Sequence, residues 1–496
     1  MKNNVIQLKR QNPKYFINGR INNLELLNFL KINDFMISIG KVNEPIKLYK
    51  KDNNIIKEIK RSNIIEFIKK DINKYHNKKE ISESFLKVVN DYLSENKLII
   101  GLNKFDRKDL LQLNKNIERY YFKNNYVEIT KNEISIKNYS DLSKPVMYRD
   151  SMEKNFNKLY DIRDDDLRFF GFNKFIEYLT ILRKDYTDNT NNLIKGDNEF
   201  HQGRYNALMS IIGYLLSENK PQSLTKAILL TDIKLLENKD DANGGTGKSL
   251  LINALSYLVQ VYKINGKTLK NNLNFIYSGL TREHNIILFD DVTSNFKVET
   301  FYTDITSDMT VNHKGGIVEI FKASESPKLV FTSNTPFNLK SASDRRRFNI
   351  FEISDYFGEN RTPIDIFDKE FFTTWNNEEW DMFYSLMFYA IQIYLKKGLI
   401  QTELINVNNN LLISETNDMF IEFMDNYIEE YTENFISRKE FQELYFKYTN
   451  TPESKRDRSY RTKIGKWLTK YSKAKNISIE TKQVKGKRLI KITKNH

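Results

Sequence analysis

Residues 241–250 read Asp-Ala-Asn-Gly-Gly-Thr-Gly-Lys-Ser-Leu, and this stretch decides the fold of the 496-residue chain. Closely spaced glycines let a backbone turn tightly, with its N–H groups pointing inward at a phosphate chain. Lys248 is placed to reach the β- and γ-phosphates, and Ser249 to hold Mg²⁺. The apolar run at 250–255 favours a helix, whose N-terminus attracts anions. The residues predicted to bind the nucleotide are Asn243, Gly244, Gly245, Thr246, Gly247, Lys248, Ser249 and Leu250.

The glycine pattern leaves one alternative open. Ala242 stands where the full phosphate-loop pattern places its first glycine, and about ten residues separate the glycines from the strand predicted at 227–231. A glycine-rich surface turn that binds no nucleotide would have the same sequence pattern.

Two further apolar runs end in polar residues. Residues 285–292 read Asn-Ile-Ile-Leu-Phe-Asp-Asp-Val, and residues 327–334 read Pro-Lys-Leu-Val-Phe-Thr-Ser-Asn. Such runs are typical of strands buried on both faces of a parallel sheet, whose carboxyl ends form the ligand-binding edge. We expect Asp290 to bind Mg²⁺, Asp291 to polarise an attacking water and Asn334 to sense the γ-phosphate. A loop start at Asp-Asp and a turn-forming Asn are the alternatives, but three strands in one register favour ATP or GTP hydrolysis.

Three arginines follow the third of these strands, and a hairpin with a basic tip lies between the second and the third. Arg345, Arg346 and Arg347 precede an alternating strand, and arginine stabilises charge on a transferring phosphoryl group, often from a neighbouring subunit. Between the second and third strands, residues 311–322 predict a hairpin, and His313 and Lys314 at its tip could grip DNA phosphates inside a ring. A solvated or DNA-bound arginine turn and a plain surface hairpin remain the alternatives.

The composition places the chain among proteins of a reducing compartment. Cysteine is absent, which excludes disulfides and Cys-ligated metal sites, and the five histidines lack metal-ligand spacing. The N-terminus shows no signal peptide, and no apolar run is long enough to span a bilayer, so we expect no membrane partner and a cytoplasmic location.

Positive charge is concentrated at the C-terminus. The formal net charge is +14, and residues 451–496 carry 15 Lys and Arg against 3 acids, or +12. Richness in Lys, Asn and Ile also reflects an AT-rich genome, but base composition would not concentrate lysine in one segment.

The same segment predicts a DNA-binding module. Helices at 418–431, 437–448 and 459–472 are followed by alternating segments at 477–480 and 489–492, which is the order of a winged helix. A basic tail that serves solubility is the alternative. The residues predicted to contact DNA are Arg461, Lys463, Lys466 and Lys470 on the third helix, and Lys485, Lys487 and Arg488 on the wing.

The N-terminal third carries no recognisable chemistry. It alternates strands with helical patterns, among them predicted helices at 56–72 and 173–185. The acidic cluster at 164–166 has a spacing that two metal ions could use, but it lacks a flanking apolar strand. We therefore interpret it as a solvated helix start and expect no primase centre.

The order Gly-Gly-Thr-Gly-Lys-Ser, Leu-Phe-Asp-Asp, His-Lys-Gly-Gly, Thr-Ser-Asn and Asp-Arg-Arg-Arg resembles the superfamily 3 helicases of viruses and plasmids. More closely, it resembles the poxvirus-type primase-helicases of phages and mobile elements, and the resemblance is specific over about residues 226–399. The resemblance implies an AAA+-related core that forms hexameric rings and translocates on single-stranded DNA with ATP and Mg²⁺. By position, Lys248 and Ser249 match the phosphate-loop pair, and Asp290 and Asp291 match the metal and water carboxylates. Asn334 matches the sensor, Lys314 the DNA-gripping hairpin, and Arg346 or a neighbour the arginine finger. His313 precedes Lys314, whereas viral hairpins usually carry Lys before His.

The expected fold class is α/β: an AAA+-like P-loop ATPase core with a parallel sheet, an α+β region before it and a C-terminal winged helix after it. The expected domains are a 1–75 α+β accessory region, a 76–200 mixed, mainly helical accessory or collar region, a 201–360 ATPase core, a 361–415 helical extension and a 416–496 basic winged-helix DNA-binding domain. The expected function is an ATP-dependent hexameric DNA helicase that acts in phage or mobile-element replication, with a primase or polymerase as candidate partner. An ATPase initiator or loader, which binds origin DNA without processive unwinding, is the alternative, and a DNA-binding protein with a relic nucleotide site is a further one.

Overall fold

The structure is a computed structural model that describes residues 12–38, 47–112, 114–187, 193–199, 201–221, 224–233, 245–269, 273–293, 296–316, 318–334, 342–407, 412, 416–431, 435–475, 477–484 and 487–494. It divides into two compact units, residues 1–128 with 135–156 and residues 129–134 with 157–496. Among the residues so described, no helix has the length and apolarity needed to cross a membrane.

The first unit packs helices against a mixed sheet. Its helices are α1 (Asn23–Ile32), α2 (Arg61–Ile72), α3 (Lys78–Tyr92) and α4 (Glu95–Gly101). Its strands include β1 (Phe16–Ile17), β2 (Arg20–Ile21), β3 (Phe35–Ser38), β4 (Lys47–Asp52), β5 (Ile55–Ile59), β6 (Asn103–Lys104) and β10 (Val146–Met147). The five-stranded sheet has the order β10-β5-β4-β3-β6. Leu26, Ile64, Ile68 and Phe85 are fully buried where the helices meet.

A separate antiparallel sheet contains β7 (Ile117–Tyr121), β8 (Tyr126–Thr130) and β9 (Ile134–Lys137).

The helix predicted at 56–72 is wrong over its first residues. Ile55–Ile59 is strand β5, paired antiparallel with β4, and the helix begins at Arg61. Asn53 and Asn54, with φ of 45° and 65°, form the two-residue turn between the strands. Asparagine tolerates this left-handed conformation, and a two-residue turn of this kind is a hairpin signal.

The second unit is built on a five-stranded parallel sheet. Its strands are β13 (Ala227–Asp232), β14 (Gln260–Asn265), β15 (His284–Asp290), β18 (Lys328–Ser333) and β19 (Phe348–Ile353). Their order is β14-β15-β18-β13-β19, and every neighbouring pair is parallel. After β13 the chain crosses to β14 at one edge of the sheet. It then returns through β15 and β18 and passes β13 to reach β19 at the other edge, so the connections run to opposite sides of β13. The crevice outside the carboxyl ends at such a point is where α/β sheets bind ligands.

Helices cover and extend this sheet. They are α5 (Asp165–Phe169), α6 (Gly171–Tyr178), α7 (Gln202–Leu216), α8 (Lys248–Leu255), α9 (Tyr302–Thr306), α10 (Ala342–Arg347), α11 (Pro363–Phe367) and α12 (Asn377–Lys397). Helix α7 is buried on nearly all sides. A Cβ added at Gly213 would lie 2.1 Å from the Ala390 carbonyl oxygen, so glycine permits the close approach of α7 and α12.

The second unit also contains two pairs of antiparallel strands. They are β11 (Leu182–Thr187) with β12 (Leu193–Glu199), and β16 (Met309–Asn312) with β17 (Val318–Phe321). The helix predicted at 173–185 is therefore wrong in its second half. Helix α6 ends at Tyr178, where the Thr180 hydroxyl donates to the Glu177 carbonyl at 2.7 Å, and the chain continues as β11.

Three helices and a small sheet form the C-terminal module. They are α13 (Asp418–Tyr431), β20 (Ile436–Ser437), α14 (Arg438–Tyr448), α15 (Arg458–Ala474), β21 (Ile477–Val484) and β22 (Lys487–Lys494). The antiparallel sheet has the order β20-β22-β21. Phe420, Tyr445, Ile464 and Trp467 meet in its own apolar core.

Candidate nucleotide site and nucleic-acid interface

The glycine loop leads into helix α8 with the backbone that the sequence predicts. Gly245 and Gly247 have φ of 99° and 95°, a region that side chains disfavour. A Cβ at Gly247 would lie 3.0 Å from the Phe175 ring and 3.1 Å from Leu179, so helix α6 packs directly under the loop. Glycine at 247 is therefore required by conformation and by space. Asn243 and Gly244 lie outside the described residues, and Leu250 lies in the first turn of α8.

Lys248 is paired with a carboxylate that the sequence analysis missed. Its ammonium lies 2.5 Å from Asp232 Oδ1, and the Thr246 hydroxyl donates to the same oxygen at 2.6 Å. The Lys248 and Asp232 side chains are only 7% and 6% exposed. Burial raises the pKa of Asp232, against the opposing effects of Lys248 and Thr246. Asp232 could have been identified from the sequence by its position, because it is a carboxylate at the end of strand β13, which precedes the glycine loop.

Ser249 and Asp290 converge as the sequence predicts for a metal site. Ser249 Oγ lies 3.2 Å from Asp290 Oδ1. Burial opposes ionisation of Asp290, but hydrogen bonds from Lys263, Thr332 and Ser249 prevail, so its pKa is lowered. An ionised carboxylate beside a hydroxyl fits Mg²⁺, which takes one or two protein oxygens and completes its shell with phosphates and water. Among the described residues there is no cluster of three or more His, Cys, Asp or Glu able to cage a metal.

Thr332 connects the Asp290 carboxylate to the backbone of Asp291. Its hydroxyl donates to Asp290 Oδ1 at 2.8 Å and accepts the Asp291 backbone N–H at 2.9 Å. Asp291 has a φ of 59°, in the left-handed region. The N–H of the next residue, Val292, donates to the Thr332 carbonyl, so a second hydrogen bond joins this turn to β18. The hydroxyl therefore fixes the sharp turn that separates Asp290 from Asp291.

Two lysines face these carboxylates from the edge of the sheet. Lys263 on β14 lies 2.7 Å from Asp290 Oδ2, and Lys267 forms an ion pair with Asp291. Both lysines are more than half exposed. Sequence reasoning did not find them, because the pairing arises from the position of β14 beside β15.

Asn334 follows the last residue of β18 and is partly buried at the same sheet edge. The preceding Ser333 donates to the Val292 carbonyl at 2.8 Å, which ties the end of β18 to the segment after Asp291. The structure thus brings Lys248, Ser249, Asp290, Asp291 and Asn334 to the carboxyl ends of neighbouring parallel strands.

The three arginines lie at the opposite edge. Helix α10 ends at Arg347 and β19 begins at the next residue, which pairs with Ala227, whereas Ile353 pairs with Asp232. Arg346 is exposed, and the Arg347 guanidinium lies 4.7 Å from the centre of the Tyr302 ring. The side chain of Arg345 is outside the described part of the structure. These residues precede a parallel strand whose far end lies beside Asp232.

The hairpin separates its two predicted DNA contacts. Lys314 is exposed at the tip. His313 instead contacts a segment outside the hairpin and the neighbouring strand β17, with Nδ1 3.0 Å from the Ser278 carbonyl oxygen and Nε2 3.5 Å from Glu319. The geometry gives His313 an anchoring position and leaves Lys314 at the surface.

One face of helix α15 is basic and exposed. Lys463, Lys466 and Lys473 are exposed along it, and Lys470 lies partly buried between them. Their spacing places them on one side of a helix, opposite the buried Ile464, Trp467, Leu468 and Tyr471.

Arg461 has a different setting from these lysines. It bonds to Glu443 at 2.6 Å and to the Gln442 side chain at 3.4 Å, which ties α15 to α14. On the wing, Lys485 lies outside the described residues, and the structure describes Lys487 and Arg488 as backbone of β22 only.

Comparison with known proteins gives only distant similarity. No protein family and no curated protein matches the chain. Among solved structures, the NrS-1 C-terminal region aligns with 13% identity and a TM-score of 0.40, covering 96% of this chain and 100% of that one. A JCV helicase structure aligns with 14% identity and a TM-score of 0.25, covering 62% of this chain and 67% of that one. Similarity at this level defines neither fold nor activity, so the functional case depends on the geometry of the chain itself.

Proposed function

We propose that this protein is an ATP-dependent DNA helicase whose parallel-sheet core is a superfamily 3, AAA+-like motor acting in phage or mobile-element replication. The observation that carries the proposal is the meeting of Lys248, Ser249, Asp290, Asp291 and Asn334 at one sheet edge. A phosphate loop, a metal-binding pair and two polar strand ends are the parts that phosphoryl transfer requires.

Each residue has a physical task in this proposal. The loop N–H groups and Lys248 hold the β- and γ-phosphates, and Ser249 with Asp290 hold Mg²⁺, which neutralises charge on the phosphates. Asp291 accepts a hydrogen bond from the attacking water, and the Asn334 amide orients that water against the γ-phosphate. Thr332 orients the Asp290 carboxylate and fixes the backbone of Asp291 beside it.

The position of the arginines supports a ring. The register of β19 against β13 places Arg347 about six residues of strand, roughly 20 Å, from Asp232. Arginine side chains at that distance do not reach the nucleotide of their own subunit. An exposed Arg346 can instead reach a neighbour's γ-phosphate, as a trans-acting arginine does in a homo-hexamer.

DNA binding is proposed at two places. Lys314 at the tip of the β16–β17 hairpin would contact single-stranded DNA in the ring channel. The three helices and the antiparallel sheet of the C-terminal module support the winged-helix hypothesis, in which the exposed lysines of α15 would contact duplex phosphates. Residues 1–200 are proposed as accessory regions and 361–415 as a helical extension, within a replisome that includes a primase or polymerase in the host cytoplasm.

The deciding experiment measures DNA-stimulated ATP hydrolysis and unwinding of a forked duplex with wild type and Lys248→Ala. We expect both activities in wild type and neither in the variant. ATP hydrolysis without strand displacement would favour the initiator or loader, which the basic α15 face also suits. No hydrolysis by wild type would contradict the proposal.

A further inference from the structure

Asp232 pairs with Lys248, the residue that we expect to bind the nucleotide phosphates. Its Oδ1 accepts from the Lys248 ammonium at 2.5 Å and from the Thr246 hydroxyl at 2.6 Å, and the ammonium also donates to Thr246 at 3.0 Å. Asp232 Oδ2 is buried and has no hydrogen-bond partner among the described residues. One carboxylate therefore holds two phosphate-loop donors and keeps a second acceptor atom inside the site.

A phosphate bound to the loop would compete for the same ammonium. Lysine has three donors, of which two are engaged here. A nucleotide that brings negative charge into the loop is repelled by a buried carboxylate, and it must also share or displace the counter-ion of Lys248. The converse holds on release, because Asp232 supplies a counter-ion to a lysine that would otherwise remain buried and unpaired.

We propose that Asp232 is an internal substitute for the nucleotide phosphates: it binds Lys248 when nucleotide leaves, yields Lys248 when nucleotide binds, and thereby speeds ADP release. The inference rests on the proposed ATPase function. Asp232 is a positioning residue, because it acts through Lys248 and Thr246. Its role is to weaken nucleotide binding, which is the opposite of what a residue that merely orients Lys248 for the phosphates would do.

The test is the affinity and dissociation rate of ADP with Mg²⁺, measured by calorimetry and stopped-flow fluorescence on wild type and Asp232→Asn. Asparagine keeps an acceptor for Lys248 and removes the charge. We expect about tenfold tighter ADP binding, slower ADP dissociation, and a fall in both KM and kcat for ATP. We also expect a lower Tm without nucleotide and a larger rise in Tm on adding ADP.

Two further variants make the result decisive. Asp232→Ser removes the same charge with a smaller side chain, and it replaces the Asn variant should that one fail to fold. Asp304→Asn is the control, because Asp304 is a partly buried acid of the same unit and accepts from Tyr277 at 2.8 Å. The control should lower the Tm without changing ADP affinity.

The outcomes separate the inference from the proposed function. If wild type binds ADP and neither Asp232 variant binds it more tightly, the phosphate-substitute role is wrong while the ATPase stands. If wild type binds neither ADP nor ATP, the proposed function fails and this inference fails with it.

Discussion

The Thr332 hydroxyl donates a 2.8 Å hydrogen bond to the Asp290 carboxylate, and this contact joins strands β18 and β15 at the end of the sheet where we propose that Mg²⁺ binds. Because the same oxygen accepts the Asp291 backbone N–H, the threonine holds the Asp290 carboxylate and the Asp291 backbone without being predicted to touch substrate. Residues that orient metal ligands typically contribute 10- to 100-fold to metal affinity or activity.

Thr332→Val should therefore lower ATP hydrolysis by about 10- to 100-fold and raise the Mg²⁺ concentration needed for half-maximal rate. The variant also leaves the Asp291 N–H unbonded, at about 1–3 kcal/mol of stability. Thr231→Val is the matched control, because Thr231 is equally buried on neighbouring β13 and its hydroxyl has no hydrogen-bond partner among the described residues. Equal activity losses in the two variants would show that Thr332 acts only through packing.

Gly247→Ala should abolish nucleotide binding, because the new Cβ meets the Phe175 ring at 3.0 Å in a backbone region that alanine disfavours. Fluorescent-nucleotide binding measures the loss. Gly398→Ala, at a φ of 68° with open space around its Cβ, is the control. It should lower stability through backbone strain and leave nucleotide affinity unchanged.

The strand ends were predictable from sequence, whereas the side-chain pairs between strands were not. Uninterrupted apolar runs that end in Asp290, Asp291 and Asn334 indicate buried parallel strands, and these strands form where expected. Lys263, however, meets Asp290 because β14 lies beside β15, and strand order depends on long-range packing that local periodicity does not encode. The wrong helix prediction at 56–60 had a different cause. It followed the helical spacing of the isoleucines, whereas the Asn53–Asn54 turn, which the sequence contains, sets the structure there as a hairpin.

Lys220 should make stability depend on pH above neutrality. Burial lowers its pKa from 10.5 to about 8, against a smaller opposing effect of Asp304, and its ammonium donates to Ser326 Oγ at 2.7 Å. Between pH 8 and 10.5 the unfolded chain holds a proton that the folded chain has lost, so the free energy of unfolding rises with pH. The contribution is about 3 kcal/mol over that range. Urea denaturation of wild type and Lys220→Met at pH 7.5 and 10 should show a wild-type gain that the variant lacks.

The exposed lysines of α15 should contribute to DNA affinity through phosphate contacts. Replacing Lys463, Lys466 and Lys473 by Gln should weaken binding to duplexes of unrelated sequence alike, and lower the slope of log K against log salt by about 0.9 per lysine that contacts a phosphate. Lys397→Gln, at the exposed end of α12, is the control for net charge. Arg461→Gln should instead lower the Tm of the module, because that side chain bonds to Glu443 and Gln442. An unchanged salt slope in the triple variant would contradict the winged-helix assignment.

The arginines test whether the protein works as a ring. Arg346 precedes β19 at the sheet edge opposite Lys248, so each of the two residues would serve a different nucleotide within one assembly. Arg346→Ala and Lys248→Ala should each remove ATP hydrolysis when assembled alone. Mixing the two variants should restore part of it, because some interfaces then combine an intact Lys248 with an intact neighbouring Arg346, and the recovery should follow the mixing ratio. Arg345→Ala and Arg347→Ala, mixed in the same way, identify which guanidinium acts across the interface. If no arginine variant recovers activity on mixing with Lys248→Ala, these arginines do not act across a subunit interface. They would then act on DNA or on the nucleotide of their own subunit. The second case requires a conformational change that closes the distance between the arginines and Asp232.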